Sequence, residues 1–359
     1  MKFSLHVQTR ITDWQFIKDL EDLGYDAAWV PDTQMMWSDC YATMALAAHH
    51  TSRIRIGTGV AIAGTRIAPT TAAAISSINA IAPGRIFLGI GTGHTAMRVM
   101  GQDPIPIKEF RDYLRVVRAL LDGEEVDYTY RDKTTAIVWQ NHGSGFRNIE
   151  DPIPIYVAAN GPRALRTAGM YGDGLISVFN EQKEVLEFNL RHIHEGAAQA
   201  GRKLDDYHTV SLTNAVILRA GEKLTDAAVI ERAGSWVVTA LHFIFEIWRY
   251  TRDDSVVPEY MKGIWEEYAD HVDHFPVPKE KWHQVLHEGH CSYFTPGERK
   301  FVTPTMIEGT SIAGGPSEVA EKIRAAGNNG LGEVSLLPPL AHMREVAADF
   351  AKQVIPLCR

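Results

Sequence analysis

The sequence predicts an α/β fold, a (β/α)8 barrel, and three observations carry the prediction. Short apolar runs alternate with stretches of helical character along most of the chain, the pattern of parallel strands joined by crossover helices. Eight such units in 359 residues favour a closed barrel over an open doubly wound sheet. Finally, several runs end in glycine and polar residues, above all GRIFLGIGTGH at 84–94. The C-terminal mouth of a barrel strand is where catalytic groups belong.

The elements follow in order. Lys2–Gln8 reads as the first strand, and Asp13 is placed to cap a helix through about Leu23, which Gly24 ends. Asp26–Val30 is the second strand, followed by Pro31-Asp32. Residues 40–51 form an alanine-rich helix, and Ile54–Val60 the third strand. Pro69–Ala82 is a helix with proline in its first turn. Arg85–Gly91 is the fourth strand; its run is too short for a buried helix. Ile107–Leu121 is helical, and Val126–Tyr130 with Thr134–Trp139 make an exposed hairpin. Pro154–Ala158, Gly174–Val178, Thr209–Leu218 and Leu331–Leu337 are the remaining strands, with helices from Asn160-Gly161-Pro162, over 181–200, and from about Ala341.

Residues 236–310 interrupt the rhythm between strands seven and eight, within a single domain spanning 1–359. This insertion is rich in tryptophan, tyrosine and histidine, including Trp236, Trp248 and Trp265. It reads as a lid or pocket wall, or alternatively as packing on the barrel flank or a subunit interface.

Bulk properties narrow the class. The net charge of −8 argues against a nucleic-acid surface. The apolar runs fall short of the roughly 18–20 residues that span a bilayer, and the N-terminus lacks a signal-peptide core. Cys40, Cys291 and Cys358 are far apart, so a reducing, cytoplasmic location is expected and a disulfide framework is not.

Candidate chemistry collects at strand ends. Gly91, Thr92 and Gly93 let backbone approach a flat ligand, and His94 follows them. Ala159-Asn160-Gly161-Pro162-Arg163 offers helix N–H groups and a cation to an anion such as phosphate, though the same residues also make an ordinary helix start. GTGV at 57–60 and GTGH at 91–94 are not dinucleotide fingerprints. His283 and His287 have the i, i+4 spacing of zinc ligands, but HQVLH lacks the glutamate of HExxH. No metal is expected; these histidines read as solvated or pocket-lining. There is no GxSxG elbow.

The unit order, Pro31-Asp32, GTGV, GIGTG, YVAANGPRALRTAGMYGDGLI at 156–176 and GGPSEVAEKI at 314–323 together resemble the bacterial-luciferase-like superfamily. The similarity is strongest to the branch of methylenetetrahydromethanopterin reductase and other F420-dependent oxidoreductases. The resemblance implies a non-prolyl cis peptide at Gly59-Val60 backing the cofactor ring, cofactor contacts from Thr92 and Gly93, and a phosphate site at Ala159–Pro162. It places Asp32 near ring or substrate. The sugar-phosphate dehydrogenases of the family carry histidine where this chain has Thr33 and glutamate where it has His94, so a sugar phosphate is not expected. His94 is the expected acid or base, with Asp32 beside it, and Trp37 and Trp248 are expected in the substrate pocket.

The function expected is hydride transfer with F420 on a small organic substrate. The alternative is a monooxygenase using reduced FMN from a separate reductase, with the insertion keeping water out. A flavin-binding storage or sensor protein is the non-enzymatic alternative. A homodimer is expected from the resemblance. A metal-dependent hydrolase is disfavoured, since His6-Val7-Gln8 lacks the His-x-His usual after the first strand of such barrels.

Overall fold

A computed structural model describes residues 1–141 and 143–359. Eight parallel strands form the barrel: β1 (Lys2–His6), β2 (Ala27–Val30), β3 (Arg55–Thr58), β4 (Ile86–Gly91), β5 (Ile155–Ala158), β6 (Gly174–Val178), β7 (His208–Thr213) and β8 (Glu333–Leu336). Each pairs with its neighbours in sequence, β8 returns to β1, and pairing of β3 with β4 completes the ring. This is the (β/α)8 barrel that the alternation predicts.

Side chains alternate across each strand, and the alternation builds two cores. Trp29, Phe87, Tyr156, Ile176 and Val210 fill the barrel interior. Their strand neighbours Ala28, Leu88, Val157 and Leu175 face the surrounding helices in the main core. Burial on both faces is why these strands read as unbroken apolar runs.

Helices α1 (Gln15–Leu23), α2 (Cys40–His50), α3 (Ala68–Ile81), α4 (Ile107–Leu121), α5 (Pro162–Tyr171) and α6 (Lys183–Gln199) follow the first six strands. The hairpin after α4 pairs Val126–Tyr130 with Lys133–Ile137. Two local expectations change. The side chain of Asp13 caps no helix, because the chain enters α1 through a 3-10 turn at Ile11–Asp13, leaving Trp14 at the cap. The third run stops at Thr58; a separate pair, Ala61–Ile62, then hydrogen-bonds alongside β4.

The seventh run also divides. Its first part is β7; Ala215–Ile217 then leaves the barrel and pairs in parallel with Ile312–Gly314. The insertion is bracketed by this small sheet and is therefore longer than residues 236–310. It contains α7 (Ala227–Thr251), α8 (Glu259–Asp273) and α9 (Pro304–Thr310), and the chain resumes the barrel pattern with α10 (Pro316–Asn328), β8 and α11 (Met343–Gln353). The insertion has its own core, built on Leu241, Phe245, Met261, Trp265, Tyr268 and Phe301.

By length and composition α7 is apolar enough to cross a membrane, against the expectation from its interrupted runs. Its apolar surface has a different destination here, since most of it is buried within the protein.

Candidate active site

The cavity at the C-terminal mouth has a volume of about 420 Å³. The ends of all eight strands, from His6 after β1 to Leu337 after β8, make its floor and walls, and one face of α7 makes its roof. Trp236, Thr239, Ala240, Phe243 and Ile247 recur at helical spacing and all face the cavity. Residues on other faces of the helix, Val237, Val238, Leu241 and Phe245, pack into the insertion core. The insertion is thus a lid by construction. Gln8 ties it to the barrel, donating to the carbonyls of Cys291 at 2.9 Å and Pro338 at 2.8 Å.

The wall after β3 is Gly59-Val60, and the peptide joining them is cis. A Cβ at Gly59 would lie 2.6 Å from the Trp29 Cβ and 2.9 Å from His6 Nε2. Only glycine lets the chain pass so close to the barrel interior. After β4, Gly93 adopts φ +90° and heads a short helix, His94–Arg98. That left-handed residue reverses the chain and brings His94 to the cavity. Its ring lies 5.2 Å from Phe243 on the lid. Burial pulls the His94 imidazole down to about 4, and Glu246 opposes this only in part. His94 is therefore neutral near pH 7, with one ring nitrogen free to accept a proton and the other able to donate a hydrogen bond.

After β5, Asn160 and Gly161 border the cavity, and Gly161 caps α5 with no side chain bonding its free N–H groups. A Cβ at Gly161 would meet nothing within 4 Å, so the helix end stands open to an anion. Asn160 Oδ1 accepts the Ser177 hydroxyl at 2.7 Å, which fixes the loop.

Residues 14–333 match the family described as luciferase-like monooxygenase. The chain belongs to the luciferase-like family. Among its curated relatives, the 5,10-methylenetetrahydromethanopterin reductase of Archaeoglobus fulgidus is 26% identical over 344 residues, covering 95% of this chain and 94% of the relative. The F420-dependent glucose-6-phosphate dehydrogenase of Beutenbergia cavernae is 31% identical over 241 residues, covering 62% and 67%. The F420-dependent tetrahydromethanopterin reductase structure from Methanopyrus kandleri superposes with a TM-score of 0.72 at 23% identity, covering 100% of this chain and 99% of that one. The FMN complex of a type II Baeyer–Villiger monooxygenase from Pseudomonas putida gives 0.61 at 16%, covering 99% and 98%.

This luciferase-like barrel brings together most of the residues singled out in the sequence. Gly59, Val60, Thr92, Gly93, His94, Ala159, Asn160, Gly161 and Trp37 all border the one cavity. Four residues do not. Asp32 is buried behind the wall, although Pro31 and Thr33 on either side of it face the cavity. Burial raises its pKa, and Arg66 counters that rise; successive residues of an extended chain point to opposite sides, and Asp32 takes the outer one. Pro162 is the first residue of α5 and is exposed. Arg163 is also exposed and lines a separate shallow cleft with Lys108, Arg111 and Arg166, not the cavity. Trp248 is one step round the helix from Ile247. It packs against Trp265 in the insertion and donates to Asp254 Oδ1 at 2.7 Å.

The sequence reading passed over His6. It ends β1 and borders the cavity, with Nδ1 2.8 Å from the Ser335 hydroxyl and Nε2 without a partner. Its one signal is its place at the end of a strand, which it shares with many structural residues.

Proposed function

We propose that this chain is an oxidoreductase that binds the deazaflavin F420 across the barrel mouth and transfers a hydride to or from a small organic substrate. The observation that carries the reading is the single cavity between the Gly59-Val60 wall and the α7 lid, continuous with the uncapped end of α5. The wall suits a flat ring and the helix end suits its phosphate. A partial relative named as F420-dependent supports the choice.

When bound, F420 supplies the two-electron chemistry. The protein's part is positioning. Gly59-Val60 and the Thr92-Gly93 turn would hold the ring, and the Gly161 end of α5 would hold the phosphate. His94 faces the remaining space; its neutral form would accept the substrate proton and the imidazolium so formed would return it in the reverse direction. Trp37, Trp236 and Phe243 exclude water and favour an apolar or aromatic substrate. The reading includes a cytoplasmic homodimer, on the family resemblance.

Reduced FMN with oxygen is the second reading, with a separate reductase as partner. The enclosing lid favours it, because oxygenation requires a dry pocket, and so does the fold shared with an FMN-bound monooxygenase. Titration of the purified chain with F420 and, anaerobically, with reduced FMN separates the two, read by quenching of the cavity tryptophans. Tight F420 binding with weak FMN binding supports hydride transfer. The reverse preference supports oxygenation. Binding of neither overturns both.

A further inference from the structure

We propose that His242, His287 and His290, in the insertion, form a binding site for a divalent metal of zinc type. One donor nitrogen from each lies within 4.8 Å of the others. Three neutral imidazoles are the donor set of an open, catalytic zinc site, which leaves a fourth position for water or a substrate oxygen. At a metal–nitrogen distance of about 2.0–2.1 Å a tetrahedral ion holds its nitrogens about 3.3 Å apart, a spacing that falls inside the 4.8 Å limit.

Two independent features point to a ligand. The first is unmet bonding capacity. His242 is 1% and His287 4% exposed, yet His242 Nδ1, both nitrogens of His287 and His290 Nδ1 have no hydrogen-bond partner. Buried polar atoms are rarely left so, and several orphans converging on one point need a common partner.

The second feature is the support behind His242. Its Nε2 lies 2.7 Å from Glu298 Oε1. Glu298 is fixed in turn by the amide and hydroxyl of Thr295, each at 2.8 Å. A carboxylate holding the far nitrogen of a histidine is the usual arrangement behind a metal ligand, and it aims Nδ1 at the ion. Glu246, 3.8 Å from His287, is shared with Arg98 and Arg249, whereas Glu298 has no arginine or lysine partner among the described residues and is held by His242 and Thr295.

The placement supplies a route and an outlet. His287 and His290 border the main cavity and also a second, outer cleft that Trp37 shares. An ion enters from the outer cleft, and its open position faces the main cavity. The site does not depend on which cofactor that cavity holds.

The test is metal uptake by the full chain after chelator treatment and dialysis. Zinc is counted by elemental analysis, and cobalt(II) is followed through the visible bands of a tetrahedral nitrogen site. One ion per chain is expected. His290→Ala should abolish uptake, and Glu298→Gln should weaken affinity by about 10–100-fold. His283→Ala, in the outer cleft, should change neither, with circular dichroism confirming that each variant is folded. Uptake by the wild-type chain well below one ion per chain overturns the site. So does unchanged uptake in folded His242→Ala and His290→Ala.

Discussion

The indole of Trp29 donates to Glu333 at 2.9 Å in the centre of the barrel. The same carboxylate accepts from Ser4 at 2.5 Å and lies 2.8 Å from His208 Nε2. Burial would favour its neutral form; His208, Ser4 and Trp29 together override burial and hold its pKa below the usual range. Glu333 thus joins β1, β2, β7 and β8 across the barrel interior, beneath His6, whose ring stacks on Trp29 with centroids 5.4 Å apart.

Glu333→Ala leaves the indole and imidazole donors buried without an acceptor. A loss of about 3–5 kcal/mol is expected, of the size seen when one partner of a buried charged pair is removed. The urea midpoint measures it. Glu333→Gln, which keeps an acceptor oxygen, should cost less than half as much.

Gly93 tests the turn after β4. At φ +90° a Cβ is strained, and it would also lie 2.5 Å from Ile62 Cγ2. Gly93→Ala should destabilise the chain by about 1–3 kcal/mol and, by moving Thr92 and His94, weaken F420 binding at least tenfold. Thermal melting and the fluorescence titration report the two effects. Unchanged affinity in the folded variant would remove the turn from the cofactor site.

His94→Gln separates proton transfer from packing. The amide keeps most of the volume but cannot accept a proton near neutral pH. Turnover should fall by about 100–10,000-fold, the usual contribution of general acid–base catalysis, with F420 affinity within a few fold of wild type. Phe243→Ala, which opens the lid above His94, should instead raise KM and leave the binding of F420 unchanged. Steady-state kinetics beside the titration distinguish them.

The buried histidines set an acid limit on stability. Burial lowers His6 to about 3 and His94 to about 4, against 6.5 for the free side chain. Below pH 6.5 the unfolded chain takes up protons that the folded chain refuses, so stability falls as pH drops from 6.5 toward 3. Glu21 adds a lower step. Burial opposes its charge, but the amides of Ile54, Arg53 and Ser52 override burial and hold it at about 2, below the usual 4.5. Its contribution is complete above pH 4.5 and is lost between 4.5 and 2. Urea unfolding across this range should show the decline beginning near 6.5, and His6→Gln should flatten its upper part.

Much of the architecture was legible because buried parallel strands leave unmistakable apolar runs. α4 and β6 fall on the residues expected, and the glycine-rich ends of β3, β4 and β5 converge as expected. The misplaced residues share a cause. Asp32 and Trp248 sit one residue away from positions that face the cavity, and a strand end or an apolar helix does not announce which neighbour turns inward. Arg163 likewise sits one residue before Ala164, which does line the cavity, on the side of α5 that faces away.

The sequence by itself determined the barrel, its single mouth and the family, since alternation and local glycine chemistry act over short stretches of chain. Tertiary structure decided what covers the mouth and which histidines meet. His242 lies on α7, and His287 and His290 lie in a loop more than forty residues later. Only the folding of the insertion on itself brings their nitrogens to one point. Spacing along the chain pointed to His283 with His287, but the 3-10 turn that holds His283 ends at Gln284, before His287. A pairing read from helical period fails where the backbone is not an α-helix, because the period itself is a product of the fold.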